Sequence, residues 1–222
     1  MTYSAIIFDC DGVLVESESL AVRLESNLLT AAGFPLSFDD IAANYVGLSY
    51  QAMADGIEDR FGTPIPEGLM DEVQELIVNT IAEGLAPVEG MEQLLGASGL
   101  PRCVASSSRL KRVRLSLDVA GLSKYFDPDL VLSAQMVEHA KPAPDLFFLA
   151  AAKLGVEPEQ CLVIEDSPSG VSAGLAAGMD VVAFTAGEHC RPGLQQRLAD
   201  AGATYHASTI DELADWVVDP TF

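Results

Sequence analysis

The run Ala5-Ile6-Ile7-Phe8 is followed at once by Asp9-Cys10-Asp11-Gly12, and that junction constrains the whole chain. Consecutive apolar residues of β type read as a strand covered on both faces, the condition of a parallel sheet with helices above and below it. Such a sheet binds ligands outside the carboxyl ends of its strands. Asp9 and Asp11 leave the strand at that edge, and two carboxylates so close need a cation, a proton or hydrogen-bond donors to hold their charge. A surface turn also uses Asp and Gly, but a turn does not need the second apolar run, Val13-Leu14-Val15, that follows here. A calcium loop puts its glycine after a third acidic position and a glutamate at fixed spacing downstream; here Gly12 follows the second aspartate directly.

Beyond this junction the chain changes pattern twice. Helical periodicity runs over 18–32, with Leu20, Leu24, Leu28 and Leu29 in register and Gly33 as a stop, and then over 37–45, 49–61 and 67–85 with no strand between. Helices inserted directly after a first strand predict a cap, residues 16–86, on a core made of 1–15 and 87–222. After Pro87 helices and strands alternate. Strands are predicted at 102–105, 130–132, 161–164, 181–184 and 204–206, and helices at 91–97, from Ser106 to 120, at 144–154, 165–177 and 193–201, and from Thr209. Glu212, three residues after Thr209, suggests a capping box. The alternation predicts an α/β fold with a doubly wound, Rossmann-like parallel sheet.

A formal net charge of -21 over 222 residues repels nucleic acid and anionic membrane surfaces, so neither is expected as a partner. A phosphate-bearing ligand must then be held locally, where a bound cation acts unscreened. The four cysteines, Cys10, Cys103, Cys161 and Cys190, form no C-x-x-C pair, and three lie in or beside strand-like runs. Free buried thiols fit a reducing compartment, and no apolar run reaches membrane-spanning length, so a soluble, cytoplasmic protein is expected. No pattern marks a subunit interface.

Three later segments put polar residues at the ends of strands or in a loop near the same edge. Ser106, Ser107 and Ser108 follow Cys103-Val104-Ala105, where hydroxyls and helix amides would hold an oxyanion, although one N-cap serine is expected there in any case. Lys141 sits in a loop stiffened by Pro142 and Pro144; a lone lysine is usually solvated, but a stiff loop can hold an ammonium against a phosphate. Glu165 and Asp166 follow Leu162-Val163-Ile164, and helix capping accounts for one of these acids but not both. His139, His189 and His206 are isolated and show no zinc spacing.

In this order, the four segments resemble the haloacid dehalogenase superfamily: Asp9-x-Asp11-Gly12-Val13 its first motif, Ser106 its second, Lys141-Pro142 its third and Glu165-Asp166 its fourth. The helical insertion is similar to the cap of the β-phosphoglucomutase-like branch. The spelling Phe8-Asp9-Cys10-Asp11-Gly12 and the run 121–127 look most like sugar-phosphate phosphatases of the 6-phosphogluconate phosphatase type. The resemblance implies a phosphatase of small phosphorylated sugars or sugar acids, with Asp9 as nucleophile and Asp11 as proton donor and acceptor. It implies Ser106 and Lys141 as stabilisers of the transferring group, with Ser107 beside them. It also implies Mg²⁺ as cofactor, held by Asp9, the Asp11 carbonyl and Asp166, with Glu165 nearby.

The rival within the branch is a sugar-phosphate isomerase. Those mutases carry a histidine on the first cap helix and an arginine after a Gly-x-Ser turn, where this chain has Ala21 and, in Gly47-Leu48-Ser49-Tyr50, Tyr50. The resemblance therefore favours a hydrolase. A scaffold that has kept the fold but not the chemistry is disfavoured by four filled motifs. Arg23 and Tyr50 are the candidate substrate-binding residues of the cap, followed by Tyr45 and Gln51, with a solvated Arg23 as the plain alternative.

Overall fold

The computed structural model describes residues 3–46, 48, 50–191 and 193–218. Gly47 and Ser49, two members of the turn compared with the mutase motif, lie outside the described residues, as do the two ends of the proposed core, residues 1–2 and 219–222.

Among the described residues six strands form one parallel sheet: β1 (Ala5–Phe8), β2 (Arg102–Ser106), β3 (Val131–Ser133), β4 (Cys161–Glu165), β5 (Asp180–Phe184) and β6 (Tyr205–Ala207). Their spatial order is β3-β2-β1-β4-β5-β6, a doubly wound arrangement whose direction reverses beside β1. Side-chain alternation sorts each strand onto two cores. Ile6, Phe8, Val104, Leu162, Ile164, Val182 and Phe184 face one side, where α5 (Met91–Ala97), α6 (Leu110–Val119) and α10 (Ile210–Val217) cover them. Ala5, Ile7, Cys103, Ala105, Val163 and Val181 face the other, under α7 (Asp145–Leu154), α8 (Pro168–Ala176) and α9 (Leu194–Asp200). Burial on both faces is why these strands read as continuous apolar runs.

Four helices intervene between β1 and α5: α1 (Ser17–Ala31), α2 (Phe38–Asn44), α3 (Tyr50–Phe61) and α4 (Leu69–Glu83). They bury cores of their own. Val22 and Leu29 of α1 pack with Phe34, Ile41 and Ile57, while Ala21 packs with Val73, Ile77 and Ile81 of α4. The outgoing and returning strands of chain run side by side, with Glu16 N–H donating to Ala86 O at 3.1 Å and Val88 N–H to Leu14 O at 3.0 Å.

Local signals set the helix starts. Ser37 accepts from Asp40 N–H at 3.1 Å and the Asp40 carboxylate accepts from Ser37 N–H at 3.0 Å, a complete capping box. Thr209 caps α10, but Glu212 turns back to Ser208 N–H at 2.7 Å, so the box expected there reaches one residue further upstream. The helix expected from Glu165 begins instead at Pro168, with Ser167 accepting from Gly170 N–H at 3.1 Å, which frees both acids for other contacts. The four cysteines are free; Cys10, Cys103 and Cys161 are buried and Cys190 is half-buried. Among the described residues no helix is long and apolar enough to cross a membrane.

Candidate active site

β1, β2 and β4 end side by side, so Asp9, Ser106 and Glu165 meet at one edge although the chain separates them widely. Lys141, from the loop before α7, reaches into that edge with its side chain 1% exposed. Its Nζ donates to Asp9 Oδ1 at 2.7 Å, to Ala105 O at 2.8 Å and to Glu165 Oε1, and it stands over the Phe147 ring. Burial alone would push the ammonium pKa down, but the two carboxylates outweigh it and hold Lys141 charged. Asp9 shows the opposite balance: burial pushes its carboxyl well above the ordinary range, Lys141 pulls against this, and Glu165, Asp166 and Asp11 add to the rise. Asp9 is thus short of positive charge.

Asp11 is held differently. Its Oδ1 accepts from Ser17 Oγ and, at 2.9 Å, from Arg112 Nη2; its Oδ2 accepts from Ser108 Oγ at 2.7 Å and Ser106 Oγ at 3.3 Å. Burial pushes this carboxyl up, but Arg112 and the hydroxyls outweigh it and keep the pKa below the usual value. Two aspartates one residue apart therefore carry opposite electrostatic settings.

Glu165, placed by the sequence with the metal ligands, is committed elsewhere. Its Oε1 takes Lys141, and its Oε2 accepts from Asp166 N–H and Ser167 N–H at 3.1 Å each and from Ser167 Oγ at 3.0 Å. The carboxyl lies so close under α8 that a Cβ on Gly170 would stand 1.9 Å from it. The structure thus makes Glu165 a holder of Lys141 and of the helix start.

Asp166 is the acid left for a cation. Its Oδ2 lies 2.9 Å from His189 Nε2, an ion pair when the imidazole is protonated, and accepts no well-aligned hydrogen bond among the described residues. Gly12, at φ 82, leaves the approach open, since a Cβ there would stand 1.9 Å from Asp166 Oδ2. Among the described residues no three acidic, imidazole or thiol side chains converge as a cage. An under-neutralised Asp9 and an orphan oxygen on Asp166 fit a hard cation that takes few carboxylates and completes its shell with carbonyl, water and phosphate oxygens.

A cavity of about 870 Å³ opens between this edge and the helices. Asp9, Asp11, Ser106, Ser107, Lys141, Asp166 and Tyr50 all line it, as does Tyr45. Arg23 and Gln51 are not brought to it. Arg23 is exposed and pairs with Glu188 at 3.2 Å, because its position on α1 points outward from the stripe that lines the cavity. Gln51 bonds Asp55 one helical turn away at 2.8 Å.

Several lining or neighbouring residues carry no assignment from the sequence, among them Arg112, Glu18, Glu25 and His189, with Arg109, Lys111, Asp71 and Glu75 also on the lining. Glu18, Ala21 and Glu25 fall at helical spacing on α1, so the stripe was present in the periodicity, hidden by the habit of reading glutamates on a helix as solvated.

A haloacid dehalogenase-like hydrolase family matches residues 3–178 of the chain. The chain belongs to that family. Among curated proteins this hydrolase is 30% identical to the 6-phosphogluconate phosphatase of Escherichia coli, over 85% of each chain. It is also 30% identical to the fructose-1-phosphate phosphatase YqaB of the same organism, over 81% of this chain and 95% of that one. Among solved structures, a hydrolase of the family from Deinococcus radiodurans, crystallised with bound phosphate and sodium, is 31% identical and superposes with a TM-score of 0.81, covering 95% of this chain and 93% of that one.

Proposed function

We propose that the chain is a Mg²⁺-dependent phosphomonoester hydrolase that acts on a small phosphorylated sugar or sugar acid through an aspartyl-phosphate intermediate, with residues 16–86 as a cap over a core of 1–15 and 87–222. The observation that carries the reading is the Lys141 ammonium fixed between Asp9 and Glu165, which leaves the Asp9 carboxylate at the strand edge facing the cavity.

Asp9 is the nucleophile. A carboxylate oxygen attacks phosphorus while the bond to the ester oxygen breaks, and Asp11 delivers a proton to the departing oxygen, a role for which its carboxyl must first take up a proton against the Arg112 and hydroxyl contacts that keep it ionised in the free protein. Water then attacks the phosphorus of the acyl phosphate, Asp11 takes up its proton, and the P–O bond to Asp9 breaks to give inorganic phosphate. Ser106 and Ser108 hold the Asp11 carboxyl in place, while Lys141 and Ser107 face the oxygens of the transferring group. Asp9, the Asp11 carbonyl and Asp166 would hold a Mg²⁺ ion, which would supply charge neutralisation at the phosphate. The Deinococcus relative was crystallised with phosphate and sodium, an anion and a cation of the kinds this reading requires.

Hydrolysis is favoured over isomerisation because the first four helices bring no basic residue to the cavity with which to grip a second phosphate; Ala21 and Tyr50 stand there instead. Free thiols and an acidic surface support a soluble protein of a reducing cytoplasm with a small-molecule partner. The test is phosphate release with Mg²⁺ over a panel of phosphorylated sugars and sugar acids, for the wild type and Asp9→Asn. Release by the wild type and a loss of about 10³-fold or more in the folded variant are expected; an Asp9→Asn enzyme of full activity would refute the nucleophile.

A further inference from the structure

The two walls of the cavity differ in character. The core supplies charged and hydroxyl side chains, Asp9, Asp11, Lys141, Asp166 and the serines from 106 to 108. The inserted helices supply an apolar roof made by Tyr45, Val46, Leu48, Tyr50, Met53 and Val78. All but Val78 come from one short stretch, between the end of α2 and the first turn of α3. Tyr45 and Met53 are rooted in the buried core of these helices and Val46 packs against it, so the roof is formed before a ligand arrives. Leu48 is its most open member, 51% exposed.

Charge does not sort ligands here, since Arg109, Lys111 and Arg112 share the lining with Glu18, Asp71 and Glu75. Polarity does. A phosphate ester held at the core wall places its leaving group under the roof, and sugar hydroxyls pressed against Val46, Leu48 and Val78 would give up water without gaining a partner. A heteroaromatic base inverts that balance. Its flat faces are apolar and its polar atoms lie on its edge, so a face can cover the aliphatic and tyrosine side chains while the edge meets amides. The amides are at hand: Gln74 and Asn79 line the cavity on the same face of α4 as Val78. The room suffices as well, because about 870 Å³ lies high in the roughly 300–1,000 Å³ that drug-sized ligands occupy.

We propose that this roof is a base-binding surface and that the enzyme releases phosphate from nucleoside 5′-monophosphates in preference to the bare sugar phosphate. The inference rests on the phosphatase reading and deepens it: the phosphorylated sugar is a ribose that carries a base. An acid excess that repels a polyanion does not exclude a mononucleotide, whose single phosphate is held locally.

The test compares uridine and adenosine 5′-monophosphates with ribose 5-phosphate, which has the same sugar and phosphate position and no base, and adds p-nitrophenyl phosphate. With Mg²⁺ present, kcat/KM for the better nucleotide is expected to exceed that for ribose 5-phosphate by about tenfold or more, the order that one stacked base is worth. Leu48→Ser replaces an exposed side chain outside the catalytic machinery, so the fold and the kcat/KM for ribose 5-phosphate are expected to hold within about twofold. In that variant the nucleotide ratio is expected to shrink by about threefold or more. Ribose 5-phosphate equal or preferred overturns this inference alone, as does an unchanged ratio in Leu48→Ser. So does release from p-nitrophenyl phosphate with none from either nucleotide. No release from any of these esters overturns the phosphatase reading and the inference with it.

Discussion

His189 places its Nε2 2.9 Å from Asp166 Oδ2, so an imidazole stands against the acid proposed to bind the cation. The loop that delivers it also holds the inserted helices. Glu188 pairs with Arg23 of α1 at 3.2 Å, and Arg191 pairs with Asp39 of α2 at 2.9 Å while lying over the Phe38 ring. One short segment after β5 therefore touches both the acid at the sheet edge and the helices above it.

The first prediction concerns that imidazole in metal-depleted protein. Burial pushes the His189 pKa down, but Asp166 and Cys190 outweigh it and hold it up at about 11. A folded pKa raised above the unfolded value of 6.5 contributes stability that is fully present below that value and is lost as pH rises towards about 11. His189→Asn is expected to destabilise the fold, with a loss larger at pH 6 than at pH 9 by on the order of 1–3 kcal/mol. Thermal denaturation in a chelating buffer measures it, and equal deficits at the two pH values would refute the charged pair.

The second concerns the cation. A ligand that binds the folded state alone raises Tm by mass action, so Mg²⁺ added to depleted wild type is expected to raise Tm by several degrees. Asp166→Asn is expected to lose most of that gain. Calorimetric titration checks the same point without turnover: heats in the variant equal to those of the wild type would remove Asp166 from the metal site.

What the sequence disclosed follows from which interactions are local. Strands buried on both faces announce themselves as apolar runs, and the polar residue that ends each run is carried to the sheet edge by the topology. Asp9, Ser106 and Asp166 were legible for that reason, and Lys141 because prolines stiffen its loop. Glu165 was legible as a site residue but not as the partner of Lys141, since the choice between cation and lysine depends on how Gly170 lets α8 close over it. Arg112, Glu18 and Glu25 escaped because their meeting is made by α1 packing across the edge, and an amphipathic pattern says which face is apolar without saying which polar positions a second layer will cover. His189 escaped because a loop conformation has no period to read.

The last prediction turns on Glu25, whose burial by α1 pushes its carboxyl up to about 7, against the pull of Arg112 and of the Tyr50 hydroxyl. In the unfolded chain the same group titrates near 4.5. Below that value both states hold the proton and the group is neutral to stability relative to its protonated form. As pH rises from there through about 7, the unfolded chain releases its proton first, so stability is lost across that window. Glutamine has the shape of the protonated acid and cannot ionise. Glu25→Gln is therefore expected to stabilise the fold at pH 8 by on the order of 1–3 kcal/mol, roughly 2–4 °C in Tm for each kcal/mol, and to leave it nearly unchanged at pH 4.5. Thermal melts at the two pH values decide it. A variant less stable than the wild type at pH 8 would mean that Arg112 holds Glu25 ionised, making the contact a buried ion pair whose loss costs stability instead of a strained acid whose removal relieves it.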